Sequence, residues 1–482
     1  MTTGLFGIAR TALLAHQTSL QVVSHNVANA ETPGYSRQRP MLSANTPVRM
    51  PYGNIGTGVS FDGIERQRDV LLDQSFRSAS SLLGESTTRR DLLSQVEGIF
   101  GEPADAGMSA SLDQFWSSFS DLSASPGSLS AKAVVQQRGK QVAQLFNDYD
   151  TQLTQTRNQS MSRLGATVDQ VNQFAGQVAE LNGRIVTAEA GGTVASDLRD
   201  QRDMLIDNLS RMVGARTEPQ RDGSVSVMVA NSTLVDGTSA RPLRLELDPP
   251  VPPPAVTPSD VPVRLRLGNS VDRLAPLAGE IKGLVDVINK DVPALRGRLD
   301  ALASAIVTSV NTAHAGGFVF SGAVIPGTAA GSFFDAGTPG DPVRAGNMTL
   351  FAAIATDAAN IASSGDVNAP LDNSIALALS ALRNNTTAIN YTGPNGETET
   401  AGFSQFFRTT VTRLGLDVRG TTDDASVRGI LVDQADQRRQ SVSGVSTDEE
   451  LIQLMRVQQS YVAATKLIKT ADEMLQTILS LV

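Results

Sequence analysis

Apolar positions in the first thirty residues recur every three or four places. Phe6, Ala9, Leu13, His16, Leu20, Val23, Val27 and Ala30 mark the stripe, and all but His16 are apolar. That is one face of an amphipathic helix. It stops at Glu31-Thr32-Pro33-Gly34, because Pro33 drives Thr32 toward an extended backbone. The other end of the chain repeats the pattern more cleanly. Leu454, Val457, Tyr461, Ala464, Ile468, Ala471, Leu475, Ile478 and Val482 are all apolar at the same spacing, a heptad-type seam. Ser446 with Glu449 and Thr447 with Glu450 form two overlapping capping boxes, so a helix begins near 447.

Between the two ends the period changes twice. Residues 35–65 carry the turn signals Pro40, Pro47, Gly53, Gly56 and Gly58 and read as extended. Residues 66–213 are helix-rich, with no proline from Gly127 to Glu218 and with Val142, Leu145, Tyr149, Val171, Val178, Leu181 and Ile185 at helical spacing. Val225, Val227 and Val229 then alternate with polar residues, as do Leu243, Leu245 and Leu247, and Val261, Val263, Leu265 and Leu267. That period of two predicts a small antiparallel sheet. The seven prolines of 249–262 predict a stiff, exposed connector. Helical spacing returns over 277–314, loops with short strands are expected over 316–347, one helix at 373–383, and helix from 402 to the end. TTDDAS (Thr421–Ser426) reads as a turn.

The fold class is therefore multidomain α+β. Paired N- and C-terminal coiled-coil helices (1–35 with 446–482) carry a long-helix bundle domain (36–213, 277–315 and 402–445). An inserted β-rich, variable outer region covers 214–276 and 316–401. Two arrangements satisfy the terminal stripes: packing on each other within one chain, or packing between subunits. A helix pair sharing one seam is marginal alone, because backbone ordering opposes it, so folding coupled to assembly is expected.

Composition narrows the chemistry. The 482 residues hold 40 Lys plus Arg against 49 Asp plus Glu, a net charge of −9, which argues against a nucleic-acid binder. Charged residues are only 18%, and Ser, Thr, Asn and Gln fill the surface instead. No cysteine is present, which removes thiolate metal sites and cysteine nucleophiles. His16, His25 and His314 are scattered, with His16 on the N-terminal stripe and no convergent partner evident for the other two. Asp423-Asp424 and Glu449-Glu450 are paired acids, but the second pair suits a helix N-terminus. No phosphate-binding loop, nucleophile elbow or zinc-protease motif occurs. The reading is no enzyme, no cofactor and no metal site. No apolar run is long enough for a membrane span, and the N-terminus lacks the basic start of a cleaved secretory signal.

The segment LFGIARTALLAHQTSLQVVSHNVANAETPGYSRQRPML closely resembles the N-terminal motif of the bacterial flagellar rod–hook axial proteins. Its signature, Asn-x-x-Asn-x-x-Thr-x-Gly-aromatic, stands here as Asn26, Asn29, Thr32, Gly34 and Tyr35, with Pro33 inside it. The continuation through Ser36-Arg37-Gln38 looks like the junction members of that group, whereas rod and hook proteins usually continue differently. At the C-terminus, Gln458–Tyr461 and Asp472–Leu475 are similar to the same family.

The resemblance implies a structural subunit joining hook to filament. It implies export through the flagellar type III apparatus without signal cleavage and a location outside the cell in the flagellum. The partners it implies are further copies in a ring or helical layer, the hook protein, a second junction protein on the filament side, and a cytoplasmic export chaperone on the C-terminal helix. The alternatives are another axial protein, hook or distal rod, or an enzyme carried on the β-rich middle. On the residues alone, the two asparagines suit the end of a helix, where their amides can meet orphan carbonyls or hold the Thr-Pro-Gly bend. Gly34 permits a backbone angle closed to other residues.

Overall fold

The computed structural model describes the chain apart from residues 1, 52, 102–106, 249–260, 271–272, 276, 321–324, 336, 338–340, 395 and 481–482. The proline-rich connector therefore lies largely outside the described residues. The chain opens with α1 (Thr2–Ala28) and a ribbon of β1 (Gln38–Ala44), β2 (Val48–Met50), β3 (Gly53–Ile55) and β4 (Val59–Arg66). Four helices follow: α2 (Val70–Phe100), α3 (Met108–Ala124), α4 (Leu129–Glu189) and α5 (Ser196–Val213). Next come β5 (Arg216–Pro219), β6 (Val225–Val229), β7 (Ser232–Asp236), β8 (Ser239–Ala240), β9 (Leu243–Leu247) and β10 (Val263–Leu267). Helices α6 (Gly279–Asp286) and α7 (Val292–Ala315) are joined by one π-helical turn, Val287–Asp291. Pro293, just inside α7, has no N–H to continue the regular ladder, which accounts for the widened turn. The remainder is β11 (Phe318–Val319), β12 (Thr328–Ala329), α8 (Ala352–Thr356), α9 (Ser374–Ala381), β13 (Ile389–Thr392), β14 (Thr398–Ala401), α10 (Phe403–Ser443) and α11 (Thr447–Ser480).

The spine is α4, 61 residues long. The Ser128 hydroxyl caps it by accepting from the Ala131 N–H at 3.2 Å. Val135, Val142, Phe146, Leu153, Leu164, Val171, Val178 and Ile185 along it are all fully buried. Near its start lies an aromatic core in which Phe115 meets Phe119, Phe333 and Phe334, and Trp116 stacks on Phe403 at 5.5 Å. Phe333 and Phe334 thereby draw residues 316–401 onto the helical body. Among the described residues that stretch is not β-rich: it holds two short strand pairs among helical turns.

Two other expectations need correction. The strands of 216–267 form two sheets, not one: the antiparallel order β5-β6-β7-β8, and a separate pair of β9 with β10. The supposed turn at Thr421–Ser426 is mid-helix in α10. Thr421 and Thr422 donate their hydroxyls back to the carbonyls of Asp417 and Val418 at 3.0 and 2.8 Å, and Asp424 pairs with Arg428 one turn on at 2.9 Å. Those local bonds satisfy the side chains within the helix, so turn-prone residues fit inside it.

The uncharged polar residues are not only surface. A recurring device pins strands to helices: an Asn side chain accepts from and donates to one strand residue's backbone, as a paired strand would. Asn172 does so with Leu243 (2.6 and 2.8 Å), Asn182 with Val225 (3.1 and 2.8 Å) and Asn289 with Val263 (2.8 and 2.8 Å). Buried backbone groups need partners, and one amide supplies both a donor and an acceptor.

Candidate functional site

Within the chain, α1 packs along α11. On α11 the buried seam is Val457, Ala464 and Ala471, flanked by half-buried Leu454, Tyr461, Ile468 and Leu475. Val482 and the side chain of Ile478 lie outside the described residues. On α1 the burial is wider than the stripe of the sequence pattern. Ala9, Ala15, Ser19, Val22, Val23 and Asn26 are buried, Leu13, His16, Leu20 and Val27 are half-buried, and Phe6 is 41% exposed. The extra face arises because β1 and β4 also lie against α1. At Gly58, just before β4, a φ of +115° and the Thr11 side chain leave no room for a Cβ.

Intrachain pairing does not use all the apolar surface of the long C-terminal helices. At 100° per residue, Leu451, Met455 and Val462 face away from the α11 seam, with Ile452, Leu467 and Met474 on its flank. All six are about half exposed. Leu416, Val427, Ile430, Leu431 and Val442 form a second exposed stripe along α10. Exposed apolar side chains aligned along one face of a helix suit an interaction site.

The N-terminal motif sits where α1, β1 and α11 converge. Asn29 donates its side-chain amide to His25 O at 3.0 Å, a carbonyl that also accepts the Asn29 N–H at 3.1 Å, and it accepts from Thr32 Oγ1 at 3.2 Å. Thr32 N–H closes on Asn29 O at 2.9 Å just ahead of Pro33, and Gly34 has a φ of +80°. Asn26 has a different task from the helix-end role expected of it. It is 1% exposed and acts as the fourth strand clamp, accepting from Gln38 N–H at 3.0 Å and donating to Gln38 O at 2.9 Å. It also donates to Glu450 Oε2 at 2.9 Å and accepts from the Tyr35 hydroxyl at 2.8 Å.

Tyr35 in turn meets His25 Nδ1 at 3.1 Å, so His25 does have a partner. Burial, then the nearby carboxylates Asp197, Asp200 and Glu450, push the Tyr35 hydroxyl pKa upward and keep it a donor. Arg37 completes the joint by pairing with Glu450 at 2.7 Å and Glu449 at 2.9 Å, while its N–H bonds Ser443 O at 2.9 Å. Of the two capping boxes, Ser446 Oγ meets Glu449 N–H at 3.5 Å, but both Glu side chains are spent on Arg37.

Beneath this joint an ionic lattice ties it to the body. Ser36 donates its N–H and hydroxyl to Asp200 of α5 at 3.0 and 2.7 Å. Arg66 bonds Asp203 at 2.6 Å, and Arg68 and Arg77 approach the same carboxylate at 3.4 and 3.6 Å. Burial alone would raise the Asp203 pKa, but Arg68, Arg66 and Arg77 outweigh it and hold the carboxyl at about 2. Asp207 bridges Arg77 of α2 and Arg439 of α10, both at 2.6 Å. The site is a mechanical joint in which helix ends, ribbon and body are cross-braced by charge-assisted hydrogen bonds.

Comparison with known proteins places this architecture. The family model for the flagellar hook-associated protein FlgK helical domain matches residues 93–334. Flagellar hook-associated protein 1 of Bacillus subtilis (strain 168) is 30% identical over 515 aligned residues, covering 100% of this chain and 99% of the relative. The chain belongs to the flagellar hook-associated protein 1 (FlgK) family. Relatives of the same name from Salmonella typhimurium and Escherichia coli are each 24% identical, covering 99% of both chains. The helical ends of this FlgK-family chain match two further family models, flagella basal body rod protein at 6–35 and the flagellar basal body rod FlgEFG protein C-terminal region at 436–481. The flagellar hook junction protein FlgK from Burkholderia pseudomallei shares the fold, with a TM-score of 0.64 at 16% identity, covering 77% of this chain and all of that one.

Sequence reasoning named Arg37 and Gln38 only within the family resemblance and Glu450 only as a capping acid, and missed their convergence with Asn26 in one joint. Asp200 and Asp203 carried no signal, since their partners lie more than a hundred residues away.

Proposed function

We propose that this chain is a structural subunit at the junction between flagellar hook and filament. It is exported through the flagellar type III apparatus with its N-terminal signal uncleaved, and it works outside the cell without catalysing a reaction. The observation that carries the reading is kinship to hook-associated protein 1 over the whole chain. The exposed stripes on α10 and α11 support it, because they offer apolar surface that a single chain does not cover. In this reading the paired α1 and α11 line the axis, and the stripes pack against neighbouring copies, the hook protein and a second junction protein. An export chaperone covers α11 before assembly, since an uncovered stripe of this length aggregates.

The test is replacement of the chromosomal copy by Ile430→Asp or Met455→Asp, one on each stripe. Both side chains are exposed, so the purified chain should keep its helix content and melting temperature. Cells should make hooks yet shed filament subunits into the medium. Full motility in both mutants would defeat the proposal, and loss of the hooks themselves would point to a hook or rod subunit.

A further inference from the structure

Strands β2 and β3 form an amphipathic hairpin whose apolar face is open. The register pairs Val48 with Ile55 and Arg49 with Asn54. Opposed residues share a face, and successive residues along a strand alternate between faces. Val48, Met50 and Ile55 therefore make one apolar face, with Arg49 and Asn54 on the other. All six strand residues are exposed, and among the described residues the hairpin joins no larger sheet. A two-stranded hairpin is marginal alone in water, so an open apolar face of this kind suits docking onto another surface.

Contacts fix its height along the terminal helices. The ribbon starts at Gln38 beside Asn26 and has reached Thr11 by Val59, whose N–H meets Thr11 Oγ1 at 3.4 Å. That is ~22 Å along α1 at ~1.5 Å per residue. Helix α11 leaves the same point, with Glu450 2.9 Å from Asn26, and packs back along α1. An equal rise brings it level with Thr11 near Thr465. Beyond that level Leu467 and Met474, two turns apart on one flank of α11, are both exposed. Hairpin face and helix flank thus lie at one height on the same chain, both apolar and both open, so neither covers the other.

We infer that the Val48, Met50 and Ile55 face of one copy seats on Leu467 and Met474 of an adjacent copy. The inference rests on the proposed placement of α1 and α11 along an axis. Rotation about an axis parallel to these helices preserves height, so a lateral neighbour offers the hairpin the α11 flank at its own level. One surface inserts and a different one receives, a heterologous contact that closes into a ring or winds into a helix. Arg49 and Asn54 remain on the solvent side.

The chain has no cysteine, so Met50→Cys with Met474→Cys on one chain reports this contact alone. A disulfide requires Cα atoms within about 7 Å. The full-length variant replaces the chromosomal copy, and isolated flagella are oxidised with copper phenanthroline and run without reductant. Disulfide-linked dimers and higher multimers should appear, because each copy carries both halves of the contact, and either single variant should stay monomeric. Val48→Cys with Leu467→Cys supplies a second pair if the first does not assemble. No cross-link from either pair in flagella that contain the chain would overturn the inference and leave the junction reading standing. Dimers from Met50→Cys alone, or an intrachain disulfide in the dilute monomer, would overturn it as well. Absence of the unaltered chain from flagella by immunoblot would remove both.

Discussion

Truncating Asn26 to Ala should unlatch the terminal helices without unfolding the body. The side chain is 1% exposed and makes four hydrogen bonds. Two of its partners keep other bonds: Glu450 retains Arg37 at 2.7 Å, and Tyr35 retains His25 at 3.1 Å. The N–H and carbonyl of Gln38 lose this partner altogether. Each such group left without a partner costs ~1–3 kcal/mol, so the loss is about 3 kcal/mol, or roughly 100-fold in an opening equilibrium. Hydrogen exchange read by mass spectrometry resolves where that loss falls. Protection should drop about 100-fold, on the same arithmetic, across α1 and α11, and stay unchanged in α2–α4. Unchanged exchange in the two terminal helices would refute the clamp. An equal rise throughout the chain would show that the joint is not a separable unit.

Other outcomes follow from the same contacts. His314 is fully buried, with Nδ1 2.7 Å from Gly331 O and Nε2 accepting from Ala362 N–H at 2.9 Å. Burial holds its pKa down at about 4 against an ordinary 6.5. The unfolded chain then binds the extra proton first, so stability is full above pH 6.5 and falls by about 3 kcal/mol as pH drops toward 4. Denaturant melts at stepped pH should show that loss, and His314→Gln should flatten it. Asn182→Ala should cost about 3 kcal/mol by stranding Val225 and removing a bond from Arg202, with a lowered melting temperature as the readout.

The long apolar periods were the readable part of the chain. Leu454 to Leu475 lie on the α11 seam as spaced, because a heptad stripe has one way to be buried against a single neighbour. On α1 the stripe marked only part of the buried face, since the ribbon covers a second side that no local period announces. Asn26 looked like a helix-end residue because Asn on a helix reads as a cap. Its true partner, Gln38, is fixed by tertiary placement. TTDDAS misled for the opposite reason: turn propensity yielded to the 41-residue helix around it, whose carbonyls take up the threonine hydroxyls. The ionic lattice at Asp203 joins residues 66, 68 and 77 to 203, a pairing that sequence separation hides.

A junction subunit should keep the outer face of α11 free in the single chain and bury it in the flagellum. The chain has no cysteine, so Met455→Cys or Val462→Cys carries a single thiol at that face. Maleimide labelling rates compared between the purified monomer and isolated flagella measure its accessibility directly. Fast labelling in the monomer and strong protection in flagella are expected; equal rates in both would contradict burial of this face.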